Sequence, residues 1–218
     1  MRRCSLQVAF VAAVVVSGIA WARVPSEVPL ADVLDVLVLD REVLAVDARS
    51  GGQVRVSLRL NERVHWSGSH GLVAVALTDQ RILAVAIGSG AWQQAELQRG
   101  EAPPSGAELG ERIALIVTSV RVLGFDGRSG NLVESRLGVR EKLLQLRIGA
   151  TVGVVVTDRR ALALSSDTGG FFSAKIALEE RLESVAVSAN LATVTTQRRL
   201  LVFRGPTGGW EERRRTLR

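Results

Sequence analysis

Residues Val152–Gly170 read VGVVVTDRRALALSSDTGG, and versions of this stretch recur until the 218-residue chain has spelled it five times. Aligned on Asp158, the equivalents are Asp40, Asp79, Ser119 and Gln197, with spacings of 39, 40, 39 and 39 residues in chain order. Eleven residues beyond each stands a glycine: Gly51, Gly90, Gly130, Gly169 and Gly208. Such a fixed period is the signature of a repeat architecture.

Within one unit the pattern is that of short strands and turns. Leu143–Ile148 (LLQLRI) places Leu144, Leu146 and Ile148 on one face, as a half-buried strand does. Val152–Thr157 is rich in β-branched residues and suits a strand covered on both faces. Asp158-Arg159-Arg160 turns into Ala161–Leu164, and Asp167–Gly170 turns into the more polar Phe171–Leu178. Columns of the repeat support the same reading. Leucine stands at Leu44, Leu83, Leu123, Leu162 and Leu201, followed two residues on by Val46, Val85, Phe125, Leu164 and Phe203. The fourth strand alternates charge and apolar residues, as in Gln53–Leu60 (QVRVSLRL), which is how an outer strand avoids pairing with another molecule.

Four antiparallel strands per unit, apolar inside and charged outside, predict an all-β fold: a five-bladed β-propeller of four-stranded blades. The expected blades are residues 26–60, 61–100, 101–139, 140–178 and 179–218. Val28 and Leu30 are in register with the first-strand pair of the fifth unit, although Pro29 between them cannot donate to a ladder. The last unit carries its own outer strand, Trp210–Leu217, so closure is expected to rest on packing between the first and last blades. Gly100–Glu111 (GEAPPSGAELGE) interrupts the third unit and reads as a flexible loop with a weak strand.

The first residues have another purpose. Met1-Arg2-Arg3, the apolar run Val8–Ile19 and Ala20-Trp21-Ala22 form a secretory signal peptide, residues 1–22, with cleavage expected after Ala22. An uncleaved anchor is the alternative, although the run is short for a span, which needs about 20 residues. The expected location is periplasmic or secreted. Cys4 precedes the apolar run, so the mature chain has no cysteine and must be held by its core. Of 28 basic residues 26 are arginine, and they are dispersed except in Glu211–Arg218 (EERRRTLR). Removal of Arg2 and Arg3 leaves 26 basic against 22 acidic residues, and this balance gives no reason to expect nucleic acid; no membrane partner is expected unless the N-terminal segment stays uncleaved.

Two units, Glu42–Gln53 (EVLAVDARSGGQ) and Arg121–Leu132 (RVLGFDGRSGNL), resemble the quinoprotein-dehydrogenase-like (PQQ-like, WD40-like) propeller repeat. Leu44, Asp47, Ser50 and Gly51 carry the likeness in the first, and Leu123, Asp126, Ser129 and Gly130 in the third. The tryptophan of that repeat is replaced by Arg55 and Glu134, and Trp92, Phe171 and Trp210 fall two residues after the glycine instead. The resemblance implies a propeller without implying a quinone; non-catalytic members of the group act as periplasmic scaffolds for protein assembly.

Chemistry-bearing residues are sparse. His65 and His70 lie in HWSGSH beside Ser67 and Ser69, but their spacing matches no metal motif and a five-residue offset on a strand sends the rings to opposite faces. The acidic residues Glu134, Glu179, Glu180 and Asp167 fall on outer strands and turns rather than as a glycosidase pair. The one repeated feature with chemical content is Arg81, Arg121, Arg160 and Arg199, with Glu42 breaking the series. Placed at the turn between second and third strands, these four would form an anion-attracting rim. The resulting expectation is a monomeric, non-catalytic scaffold without cofactor or metal that binds a protein or other macromolecule. A carbohydrate-binding propeller using Trp92, Phe171 and Trp210 is the alternative, and a small propeller hydrolase the third reading.

Overall fold

The computed structural model describes residues 33–215. The expected signal peptide, Val28–Leu30 and the last residues of the chain lie outside the described part. The protein is all-β, with 19 strands in five antiparallel sheets. The first sheet holds β1 (Leu34–Val38), β2 (Glu42–Asp47) and β3 (Gln53–Ser57). The second runs β4 (Val64–His70), β5 (Val73–Thr78), β6 (Arg81–Ala86) and β7 (Gln93–Glu96). The third comprises β8 (Glu108–Leu109), β9 (Ile113–Val117), β10 (Arg121–Asp126) and β11 (Asn131–Arg136). The fourth is β12 (Leu143–Ile148), β13 (Val152–Thr157), β14 (Arg160–Ser165) and β15 (Gly170–Lys175). The fifth is β16 (Leu182–Val187), β17 (Leu191–Thr196), β18 (Arg199–Arg204) and β19 (Gly209–Arg214).

Every sheet is an up-and-down meander, and β4, β8, β12 and β16 lie beside one another as the inner strands of consecutive propeller blades. The middle strands carry the core because both their faces meet a neighbouring sheet: β5, β6, β13 and nearly all of β14 are buried throughout. Leu34, Val43 and Ala45 pack on Leu83 and Val85 between the first two sheets. Val75, Leu77 and Ile82 meet Ile116, Leu123 and Phe125 between the next two. Leu115 and Val122 meet Val155, Leu162 and Leu164, and Val154 and Val156 meet Val194, Leu201 and Phe203.

Among the described residues no core cluster joins the fifth sheet to the first. Where the fourth sheet presents Val152, Val154 and Val156 fully buried, the fifth presents half-buried Leu191, Thr193 and Thr195 at the same ladder positions. Leu37, the counterpart of buried Ala76, is exposed on the first sheet. Threonine keeps a strand-forming shape while tolerating the partial exposure seen on this face.

Turns follow the repeat. The glycines Gly51, Gly90, Gly130, Gly169 and Gly208 all sit at φ between 64° and 70°, where a side chain would be strained. The Asp-x-x-Ser-Gly likeness resolves into turn chemistry: Asp126 accepts from the Arg128 N–H at 2.9 Å and the Ser129 hydroxyl at 2.5 Å. Asp47 does the same with Arg49 and Ser50, and the Ser50 hydroxyl holds its carboxyl below the usual range. Gly100–Glu111 supplies only the two-residue β8, as its sequence suggested, and Pro104 within it is tied to the His65 ring at 2.8 Å.

Candidate binding face

The chain returns from the outer strand of one sheet to the inner strand of the next through a tight turn. Its first and fourth residues are Arg59 and Glu62, Gln98 and Glu101, Gly138 and Glu141, and Ala177 and Glu180, joined by backbone hydrogen bonds of 2.8–3.1 Å. Each glutamate also folds back to accept the N–H of the first residue. The same carboxylate accepts from the threonine ending the second strand in three units: Thr78, Thr157 and Thr196. In all four it receives the arginine that opens the third strand.

That arginine is the series expected to stand free at the rim. Arg81 pairs with Glu62 at 2.8 Å, Arg121 with Glu101 at 3.0 Å, Arg160 with Glu141 at 2.9 Å and Arg199 with Glu180 at 2.9 Å. Their Nη2 groups reach the outer strand of the preceding sheet, donating to the carbonyls of Ser57, Glu96, Arg136 and Lys175. Three of them donate a further bond to their own outer strand, at Gln94, Glu134 and Glu212. Arg81 and Arg121 are buried, and the carboxylates are 0–3% exposed. These guanidinium groups are clasps between sheets, each engaged by a carboxylate and a backbone carbonyl of the protein itself. The physical reason is geometric: a carboxylate fixed at the return turn lies within reach of a five-donor fork that matches it.

Burial pushes each clasp carboxyl up, but the arginine, hydroxyl and backbone donors outweigh it. Glu62, Glu101 and Glu141 are held below the ordinary carboxylate range, and Glu180 is lowered to about 2. The glutamates were not singled out from sequence, yet their signal was present. They form a column 17 or 18 residues before the anchor, and Thr78, Thr118, Thr157 and Thr196 form a column one before it.

Among the described residues the first sheet lacks the threonine–arginine pair of the clasp. Leu39 and Glu42 replace the threonine and arginine. Exposed Gln53 stands where the other sheets dock on their predecessors. There, Trp92 donates to the Val54 carbonyl at 3.0 Å, Phe171 fills the space between third and fourth sheets, and Trp210 donates to the Phe172 carbonyl at 2.9 Å. These three aromatic residues are wedges between sheets.

What remains exposed on the clasp side is a cationic surface. On the return turns and the turns between second and third strands, nine cations are exposed: Arg41, Arg59, Arg63, Arg99, Arg140, Lys142, Arg159, Arg181 and Arg198. Four acids other than the clasp glutamates accompany them: Asp40, Asp79, Asp158 and Glu179. The opposite ends of the sheets are closer to balance, with Arg49, Arg112, Arg128 and Arg204 against Asp47, Glu111 and Asp167, while Asp126 is buried in its turn. A depression of about 440 Å³ opens on the cationic side, lined by Asp40, Arg41, Arg59, Leu60, Glu62 and Arg63 among others. Among the described residues no three His, Cys, Asp or Glu side chains are gathered as a metal site would require. No helix among them is long and apolar enough to cross a membrane.

No family model and no curated protein matches the chain. Among solved structures it is similar to the N-terminal domain of Nup159, with 11% identity over 84% of this chain and 58% of that one, and a TM-score of 0.36. It is also similar to apo AztD from Citrobacter koseri, at 14% identity over 82% and 58% of the two chains, with a TM-score of 0.37. Prp20p from Saccharomyces cerevisiae is a third, at 9% identity over 78% and 57%, with a TM-score of 0.38. The chain spans a little over half the length of these proteins. These are likenesses between chains of little sequence identity.

Proposed function

We propose that this protein is a non-catalytic, secreted or periplasmic propeller scaffold whose working surface is the cationic face. The carrying observation is the segregation of charge: nine exposed cations against four acids on one side, and four cations against three acids on the other. A surface of one sign raises the local concentration of acidic partners and orients them on approach. The partner is accordingly an acidic macromolecule, and its attraction weakens as salt rises.

The test is binding of a purified acidic protein and of a neutral one to the full chain, at low and high salt, with R41E/R99E/R181E as control. Selective, salt-sensitive capture of the acidic protein that the control abolishes is the expected result. Equal capture by the control removes the reading. Secretion is tested separately by the N-terminus of the protein recovered from its native host, expected at Arg23. The non-catalytic assignment fails if a broad panel of glycoside and ester substrates is turned over.

A further inference from the structure

The return turns carry a second repeated feature. Leu60, Val139 and Leu178 occupy the second position of these turns and are 90%, 86% and 84% exposed. They are equivalent by the repeat, and the fourth such turn has Arg99 in that place. Nothing in the fold asks for an apolar side chain there, because the turns are held by their backbone bonds and by the clasp glutamates. Leucine and valine at a turn apex touch water alone, and water is a poor reason for either.

We propose that the cationic face docks on an anionic phospholipid surface, with Leu60, Val139 and Leu178 entering the headgroup–acyl boundary. The inference rests on the reading of this face as the working one and names the surface it meets. Cations with no intramolecular ion pair among the described residues lie by each apolar tip, Arg41 and Arg63 near Leu60, Arg140 beside Val139 and Arg181 near Leu178; Arg59 next to Leu60 is paired with Glu96, and Glu179 next to Leu178 is paired with Arg198. Arginine at the level of the phosphates and an apolar tip just beneath is the arrangement that interfacial anchoring requires. A fluid lipid surface accepts isolated tips independently. This route is distinct from the N-terminal apolar run, where the sequence alone placed membrane contact.

The experiment is flotation of the full-length protein with vesicles of phosphatidylcholine, with and without about one-third phosphatidylglycerol. Wild-type protein is expected to prefer the anionic vesicles by at least about 10-fold at low salt. R41E/R99E/R181E is expected to lower that binding by about 100-fold, and L60S/V139S/L178S by about 10-fold. R49E/R128E, on the opposite side, is expected to bind as wild type does. Flotation of the tip variant equal to wild type overturns the proposal, since charge or the N-terminal run would then suffice. So does equal loss in R49E/R128E, or absence of wild-type binding to anionic vesicles. Capture of the acidic protein without flotation overturns the lipid inference while leaving the cationic-face reading in place.

Discussion

Glu101 has a side chain with no exposed surface, and its carboxylate accepts from Arg121 through both Nε and Nη2 at 3.0 Å. Its removal leaves a guanidinium buried without its main partner, a loss that typically costs about 3–5 kcal/mol. Glu101→Ala should therefore lower the urea midpoint sharply. The double change Glu101→Leu with Arg121→Met should recover much of the loss, because no lone charge then remains buried. The clasps also set the acid limit. Glu180 has an ordinary value of 4.5 that folding lowers to about 2. A carboxyl lowered by folding stabilises the native state at pH above its unfolded value, and that contribution is lost as pH falls through the folded one. The shift of Glu180 amounts to roughly 3 kcal/mol at neutral pH. Stability measured by denaturant titration should fall between about pH 4.5 and 2, and Glu180→Gln should flatten that slope.

At the scale of elements, the inter-sheet fit depends on residues with little or no side chain. A Cβ on Gly149 would lie 2.3 Å from the Ser188 carbonyl oxygen, and one on Gly110 would lie 2.1 Å from that of Gly149. Neighbouring turns at this end of the sheets exchange backbone bonds, as from Arg112 to Ala150 and from Thr151 to Ala189, so neither can retreat freely. Gly149→Ala is expected to cost about 1–3 kcal/mol by forcing these turns apart. Trp210, which packs on Phe203 at a centroid distance of 5.3 Å and donates to the Phe172 carbonyl, should cost about 3–5 kcal/mol as alanine. The alternation of such elements was legible in advance. The run Val152–Thr157 became β13 residue for residue, because a β-branched run bounded by turn residues has few other ways to be buried. The inner strand β8 was legible only as weak, since its prolines and glycines set its neighbours' conformation but not its partner.

Across the whole molecule, each sheet is stabilised by the neighbours it covers. The second, third and fourth sheets are clasped and packed on both sides, whereas the first and fifth each have one such neighbour among the described residues. Hydrogen exchange should accordingly be slowest in β5, β6, β9, β10, β13 and β14, and faster in β17 and β18 despite their equivalent sequence positions. Uniform protection across the five sheets would show that the fifth is covered after all. The sequence by itself determined the five-fold repeat, the strands and their turns, since period, β-branching and glycine act locally. It also marked the arginine column as chemically special. Only the tertiary structure decided what those arginines do. Their partners are a glutamate 19 or 20 residues earlier and a carbonyl on the preceding sheet, and these come within reach only once the sheets stack. The same stacking buried Arg81 and Arg121 and left Leu60, Val139 and Leu178 in water, a reversal that no local pattern encodes.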